Sequence, residues 1–222
     1  GVYATFMPKP VFGINGSGMH THQSLFSGNQ NAFFDPNDPY HLSKTGRHFI
    51  AGILKHAPEI TAVTCQWVNS YKRLVPGYEA PAYISWGTRN RSALVRVPEN
   101  KPGKEKATRA ELRSPDPACN PYLTFSVMLA AGLQGIEEEH ELSPPVEADV
   151  YHLSEAERME RGIATLPGSL GDAIDLMEES RLVRECLGDH IFESLIRNKK
   201  DEWDTYRAQV TEYETKRYLP IL

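Results

Sequence analysis

Long hydrophobic runs are missing from this chain: no apolar stretch approaches the ~20 residues a bilayer-spanning helix needs, so no membrane span is expected. Cysteine is scarce. Cys65, Cys119 and Cys186 are widely spaced and form neither a C-x-x-C pair nor an even-numbered framework, so reduced, buried thiols in a cytoplasmic protein are expected. An excess of positive charge is absent as well. Lys and Arg number 24 against 29 Asp and Glu, and a formal net charge of −5 argues against a nucleic-acid partner. There is no internal repeat, no low-complexity segment and no signal-peptide pattern. An initiator Met is lacking too. The chain opens Gly-Val-Tyr-Ala-Thr-Phe, already strand-like, and a fragment of a longer protein is expected. What remains is an ordinary globular composition, 40% hydrophobic and 24% charged over 222 residues, enough for a sizeable core in one domain or two small ones.

Along the chain, residues 1 to 34 read as β-hairpins with turns at Asn15-Gly16-Ser17-Gly18 and Ser27-Gly28-Asn29. Residues 31 to 40 form a Pro- and Asp-rich loop. Ser43 caps a helix through about Ala57, which Pro58 stops, and a short helical or turn segment follows to Thr64. Residues 82–86 and 92–97 are β-prone and read as a further hairpin, and 107–113 as a strand with Ala107, Arg109, Glu111 and Arg113 on one face. Asn120-Pro121 opens an apolar helix through about Glu138, its expected buried stripe being Tyr122, Phe125, Met128, Leu129, Leu133 and Ile136. Helices are expected from Ser154 to Ala164, Ser169 to Glu179 and about Leu187 to Val210. The class is α+β: an antiparallel sheet with one helix over 1–117, then a mainly helical region over 118–222.

The chemistry gathers around Lys9 to Ser24, which reads as strand, glycine turn, strand. The two turn glycines can take positive φ and let a ligand approach the backbone. After the turn, His20, His22 and Ser24 alternate with Met19, Thr21 and Gln23, so a period of two puts them on one face. Such a face is a site wall or simply the polar outside of a hairpin, and this stretch alone does not choose.

Two further stretches do. One runs from Asn69 to Pro81, Asn-Ser-Tyr-Lys-Arg-Leu-Val-Pro-Gly-Tyr-Glu-Ala-Pro, and continues through Ala82 to Pro98 with Arg89-Asn90-Arg91-Ser92. The other is Lys106-Ala-Thr-Arg-Ala-Glu-Leu-Arg-Ser-Pro-Asp-Pro. Together with Lys9 to Ser24, in this order, they resemble the bacterial and archaeal type I glutamine synthetases, and the helical tail resembles that family's C-terminal region. The resemblance implies part of a catalytic barrel, with the N-terminal domain and the first part of the catalytic domain lying upstream. It implies a cytoplasmic homo-oligomer of stacked hexameric rings, with L-glutamate, ammonium and ATP as substrates and Mg2+ or Mn2+ as cofactor.

Motif by motif, the resemblance makes His20 and Glu111 metal ligands. It places His22, Ser24, Arg91, Arg96, Lys106 and Arg109 at ATP. It places Asn15, Gly16, Arg73, Arg91 and Arg113 at the amino acid, with Arg73 on the α-carboxylate and Arg113 on the side-chain carboxyl. Glu79, in a loop framed by Pro76, Gly77 and Pro81, would close over the substrate and help deprotonate ammonium. Arg91 would face both the transferring phosphoryl group and the substrate. These residue types suit such chemistry, because a planar guanidinium matches carboxylate and phosphate, and divalent ions neutralise charge between phosphate oxygens. Read without the resemblance, His20 is a structural histidine, the arginines are solvated and Glu79 is an exposed loop residue. His20 and Glu111 alone are too few for a metal site, so the chain is expected to be inactive by itself. Tyr151 falls where some relatives are adenylylated, but its flanks, His152 and Ser154-Glu155, differ from theirs. Alternatives are a γ-glutamyl-amine ligase acting on a polyamine or monoamine, and a non-catalytic assembly module.

Overall fold

The computed structural model describes residues 1–76, 80–147 and 150–222, with the main chain alone at His152. No strand precedes Thr21. Val2, Tyr3, Phe6 and Phe12, expected in strands, lie exposed in an irregular segment. A β-prone run becomes a strand only where a neighbouring strand takes its main-chain groups in register, and among the described residues no strand pairs with this segment.

Strand β1 (Thr21–Gln23) is followed by a minimal hairpin, β2 (Phe26–Ser27) and β3 (Gln30–Asn31), turned at Gly28 with φ 59°. Helix α1 (Lys44–Thr64) begins where expected, with Ser43 accepting from Gly46 N, but runs on through Pro58. The single hydrogen bond lost at a proline is outweighed because Ile53, Ile60, Ala62 and Val63 on both sides are buried. The one-turn α2 (Ser70–Arg73) then leads to β4 (Tyr83–Gly87), β5 (Ala93–Arg96) and β6 (Ala110–Leu112).

The main sheet has the order β1-β6-β5-β4. Strand β6 pairs antiparallel with both β1 and β5, whereas β4 and β5 run parallel with an irregular register instead of forming the expected hairpin. The connection 88–92 can double back because distant groups hold it. The Glu147 carboxylate accepts from Thr88 N (2.7 Å), Thr88 Oγ1 (2.9 Å) and Arg89 N (3.1 Å), and Asn90 Nδ2 donates to Val146 O (2.8 Å). Val95, Ala110 and Leu112, on the face opposite Glu111, join the core with Trp86, Phe33 and Phe49.

Helix α3 (Pro121–Glu137) is capped by Asn120, which accepts from Tyr122 N and Leu123 N. Its buried face is Thr124, Val127, Met128, Ala131, Gly132 and Gly135, while Tyr122, Phe125, Leu129 and Leu133 from the expected stripe are exposed. The reason is a glycine seam with α1. A Cβ on Gly52 would overlap Ala131 O and lie 2.7 Å from Gly135 Cα, and one on Gly132 would enter the Phe49 ring. Small residues, not large ones, let these axes approach. Gly52→Ala is therefore expected to destabilise the chain by about 2 kcal/mol net, the overlap outweighing the gain of up to ~1 kcal/mol in helix propensity. Urea unfolding checks this, and unchanged stability would show that the seam is not tight.

The tail holds α4 (Glu155–Glu160), α5 (Leu170–Glu178), α6 (Arg181–Leu187), α7 (Asp189–Arg207) and α8 (Glu212–Tyr218). Ser154 and Ser169 cap as expected. Helices α6 and α8 are additional to those expected: Ser180 and Thr211 cap them, and Gly188 at φ 73° separates α6 from α7. All three cysteines are free, and among the described residues no helix is long and apolar enough to cross a membrane.

Candidate active site

Glu111 is the centre of the site because of its register. On the middle strand β6 it lies opposite His22 on one side and Arg96 on the other. Only 1% of it is exposed, and both carboxylate oxygens are occupied. Oε2 accepts from Arg96 Nε at 2.7 Å, and Oε1 accepts from Arg113 Nη1 at 2.9 Å and lies 3.0 Å from His20 Nδ1. Burial pushes the Glu111 pKa up, but the bond and charge of Arg96, with Arg113 behind it, outweigh this and leave the carboxyl below its ordinary value. Glu111 is thus a buried anion.

The imidazoles next to it are held neutral. The His20 pKa is lowered by burial first and by the Arg113 charge second, against the pull of Glu111. Burial lowers His22 as well, and Arg109 Nε donates to its Nδ1 at 3.0 Å while Arg109 Nη1 donates to Ala107 O. The expected alternation holds, with His20, His22 and Ser24 exposed and Thr21 and Gln23 half-buried. One donor stands out. Arg113 Nε is buried without a hydrogen-bond partner among the described residues. A buried, unpaired guanidinium N–H is a position that an anionic ligand oxygen would satisfy.

Arg73 sits beneath the glycine turn. It is 5% exposed, and Nη1 and Nη2 donate to Ser114 O (2.6 Å), Pro115 O (3.5 Å) and Arg113 O (3.0 Å). Gly16 and Gly18 are needed there for close approach and not for positive φ, which falls on Gly13 instead. A Cβ on Gly16 would lie 3.0 Å from Arg73 Cγ, and one on Gly18 3.2 Å from Arg73 Cζ.

The structure therefore brings together His20, His22, Arg96, Arg109, Glu111 and Arg113, and sets Arg73 against Gly16. Asn15, Ser24 and Lys106 are exposed and make no hydrogen bond to that cluster among the described residues. Lys106 has its main chain fixed, because Asn31 Nδ2 donates to Lys106 O and Thr108 O. Arg91 is exposed on the 88–92 connection. Glu79 lies outside the described residues. Among those residues no group of three or more His, Cys, Asp and Glu could hold a metal, so His20 and Glu111 offer one imidazole and one anionic carboxylate, part of a shell. A cavity of about 860 Å³ lined by residues including His56, Glu59 and Glu179 shares none of these residues.

Residues 1–218 match the family model of the glutamine synthetase catalytic domain. The chain belongs to the glutamine synthetase family. It is 58% identical to a glutamine synthetase of Mycolicibacterium smegmatis over 100% of its own length and 50% of that protein, and 54% identical to one of Methanosarcina mazei, over 49% of it. The chain thus spans about half the length of these relatives. Among solved structures it is similar to the apo form of GmaS (TM-score 0.82) and to a GmaS/ADP complex (TM-score 0.85). Each is 36% identical, with 97% of this chain covered and 48% and 49% of theirs.

Two residues of the glutamine synthetase fold lie outside the sequence expectations. Glu147 carries the connection bearing Arg91. Burial raises its pKa, but the main-chain donors of Thr88 and Arg89 outweigh that and lower it, so it is an ionised anchor. No local pattern joins it to residues 58 and 59 positions away. Asn69 is the other, and its signal is a helix-start asparagine that makes no cap bond.

Proposed function

We propose that the full-length protein containing this chain is an ATP-dependent ligase forming L-glutamine from L-glutamate and ammonia, with residues 1–222 as the C-terminal part of its catalytic domain. The observation that carries this is the strand face around Glu111, where arginines converge beside two neutral imidazoles and Arg113 Nε has no partner among the described residues. A γ-carboxylate oxygen of glutamate attacks the terminal phosphorus of ATP, and ADP leaves. Ammonia then attacks the acyl carbon of γ-glutamyl phosphate, and inorganic phosphate leaves. Arg113 orients the side-chain carboxyl and Arg73 the α-carboxylate beside Asn15 and Gly16. Arg96, Arg109, Lys106, His22 and Ser24 hold ATP, and Arg91 stabilises the transferring group. Glu79 takes the proton from ammonium. His20 and Glu111 would help hold Mg2+ or Mn2+, which supplies neutralisation of phosphate charge when bound. The protein is read as a cytoplasmic homo-oligomer.

The alternative within the family, ligation of a larger amine by the same route, is the second reading. Phosphate release and product mass, measured on the full-length protein with ammonium, a monoamine or a polyamine, separate the two. Ammonium is expected to give the highest kcat/KM, and a higher value for an amine would establish the second reading. The 222-residue chain alone is expected to form no glutamine with either metal, since two ligand residues do not complete a site. Phosphate release coupled to glutamine formation by the isolated chain would sink that expectation.

A further inference from the structure

The glycine segment that carries Asn15 and Gly16 is irregular and largely exposed. Val11, Phe12 and Ile14 are exposed, and no strand runs through it. Ser17 N donates to Pro8 O (2.8 Å), which closes the segment into a loop, and Met19 N donates to Pro115 O (2.8 Å) beyond it. Within the loop, Lys9 Nζ reaches across to Ile14 O.

Asn69 holds the main chain at the loop's base. Asn69 Oδ1 accepts from Lys9 N at 2.8 Å, and Asn69 Nδ2 donates to Lys9 O at 3.1 Å. One side-chain amide thus takes both main-chain groups of one residue, as a neighbouring strand would. It does so in place of capping its own helix. Asn69 is the residue preceding α2, where an asparagine oxygen ordinarily accepts from the first-turn N–H groups, and it makes no such bond. Four residues on, Arg73 meets the other end of the loop at Gly16 and Gly18. Residues four apart share a helix face. The one-turn helix α2 therefore grips the loop twice, at Lys9 through Asn69 and at Gly16 through Arg73, and Arg73 ties that grip to the carbonyls of Arg113, Ser114 and Pro115.

We infer that Asn69 is a positioning residue for the amino-acid substrate: it fixes Asn15 and Gly16 in register with Arg113 by pinning the main chain of Lys9, without touching substrate itself. The inference rests on the proposed role of the loop in holding glutamate. Neither bond involves ATP-binding residues, so its loss falls on one substrate.

The test is steady-state kinetics of the full-length protein carrying Asn69→Ala, Asn69→Asp or Gly16→Ala, with glutamate and ATP varied in turn. Asn69→Ala removes both bonds and is expected to raise KM for glutamate about tenfold, as two hydrogen bonds of ordinary net worth imply, with KM for ATP within about twofold. Asn69→Asp keeps the acceptor for Lys9 N but cannot donate to Lys9 O, so a smaller rise is expected. Gly16→Ala places a Cβ against Pro8 O and disturbs the loop directly. A merely structural asparagine would lower the active fraction and leave both KM values in place, and that result overturns the inference. So does a parallel rise in both. If Asn69→Ala does not fold, Asn69→Asp decides by the same criterion. A glutamate KM moved by Gly16→Ala but by neither Asn69 variant refutes the positioning role and leaves the loop's role standing. A glutamate KM moved by none of the three removes both.

Discussion

Arg91→Ala in the full-length protein is expected to lower kcat by about 10²-fold or more, with a smaller change in KM for glutamate. Arg91 projects from a connection held by Glu147 and Asn90, so its backbone is fixed while its side chain is exposed. In its proposed place, a guanidinium on a fixed backbone would face a phosphoryl group whose charge is spread over three oxygens in the transition state. An interaction that strengthens only there appears in turnover. Arg91→Lys keeps the charge and loses the planar fork, so partial recovery is expected. Arg73 supplies the contrast: as holder of the α-carboxylate its replacement is expected mainly to raise KM for glutamate. Because Arg73 also binds three main-chain carbonyls, unfolding must be followed in parallel. Turnover of Arg91→Ala equal to the parent at saturating glutamate would remove Arg91 from the chemistry.

The helix starts at Ser43, Ser154 and Ser169 are legible because a cap is a local event, set by one side chain and an N–H three residues on. Thr211-Glu212-Tyr213-Glu214 carries the same kind of signal, and the helix it starts lies just beyond the expected end of the long helix at about Val210. Other differences are not local at all. Nothing near Val2 to Phe12 says whether a strand neighbour exists, and nothing near Gly87 to Ser92 announces that Glu147 will turn a hairpin into a parallel pair. The face of α3 differs from its apolar stripe because bulk is not burial: Gly52, Gly132 and Gly135 bring the backbones together and leave the large side chains outside. At the site, the alternation of His20, His22 and Ser24 and of Arg109, Glu111 and Arg113 is visible in the chain. That Glu111 joins the two sets is a matter of register between strands about 90 residues apart, which the family resemblance supplies and periodicity does not.

Glu111 is where stability and function are coupled most tightly, and the two are separable. Glu111→Ala would leave Arg96 and Arg113 without their shared anion. Breaking a buried ion pair from one side costs about 3–5 kcal/mol, and about 3 kcal/mol is expected here because Arg96 retains some contact with water. Glu111→Gln keeps the shape and one acceptor oxygen, so about 1.5 kcal/mol is expected, the worth of a charged hydrogen bond. Urea unfolding of the chain at constant slope reads both values. An alanine variant as stable as the parent would show that the basic side chains around it do not depend on this carboxylate. The functional half needs the full-length protein. There Glu111→Gln is expected to raise the Mn2+ or Mg2+ concentration for half-maximal turnover at least about tenfold, a loss that even outer partners of metal ligands commonly produce. An anchor for arginines alone would weaken the fold and leave that metal dependence where it was. A shift in metal dependence larger than the loss of stability assigns Glu111 to the ion.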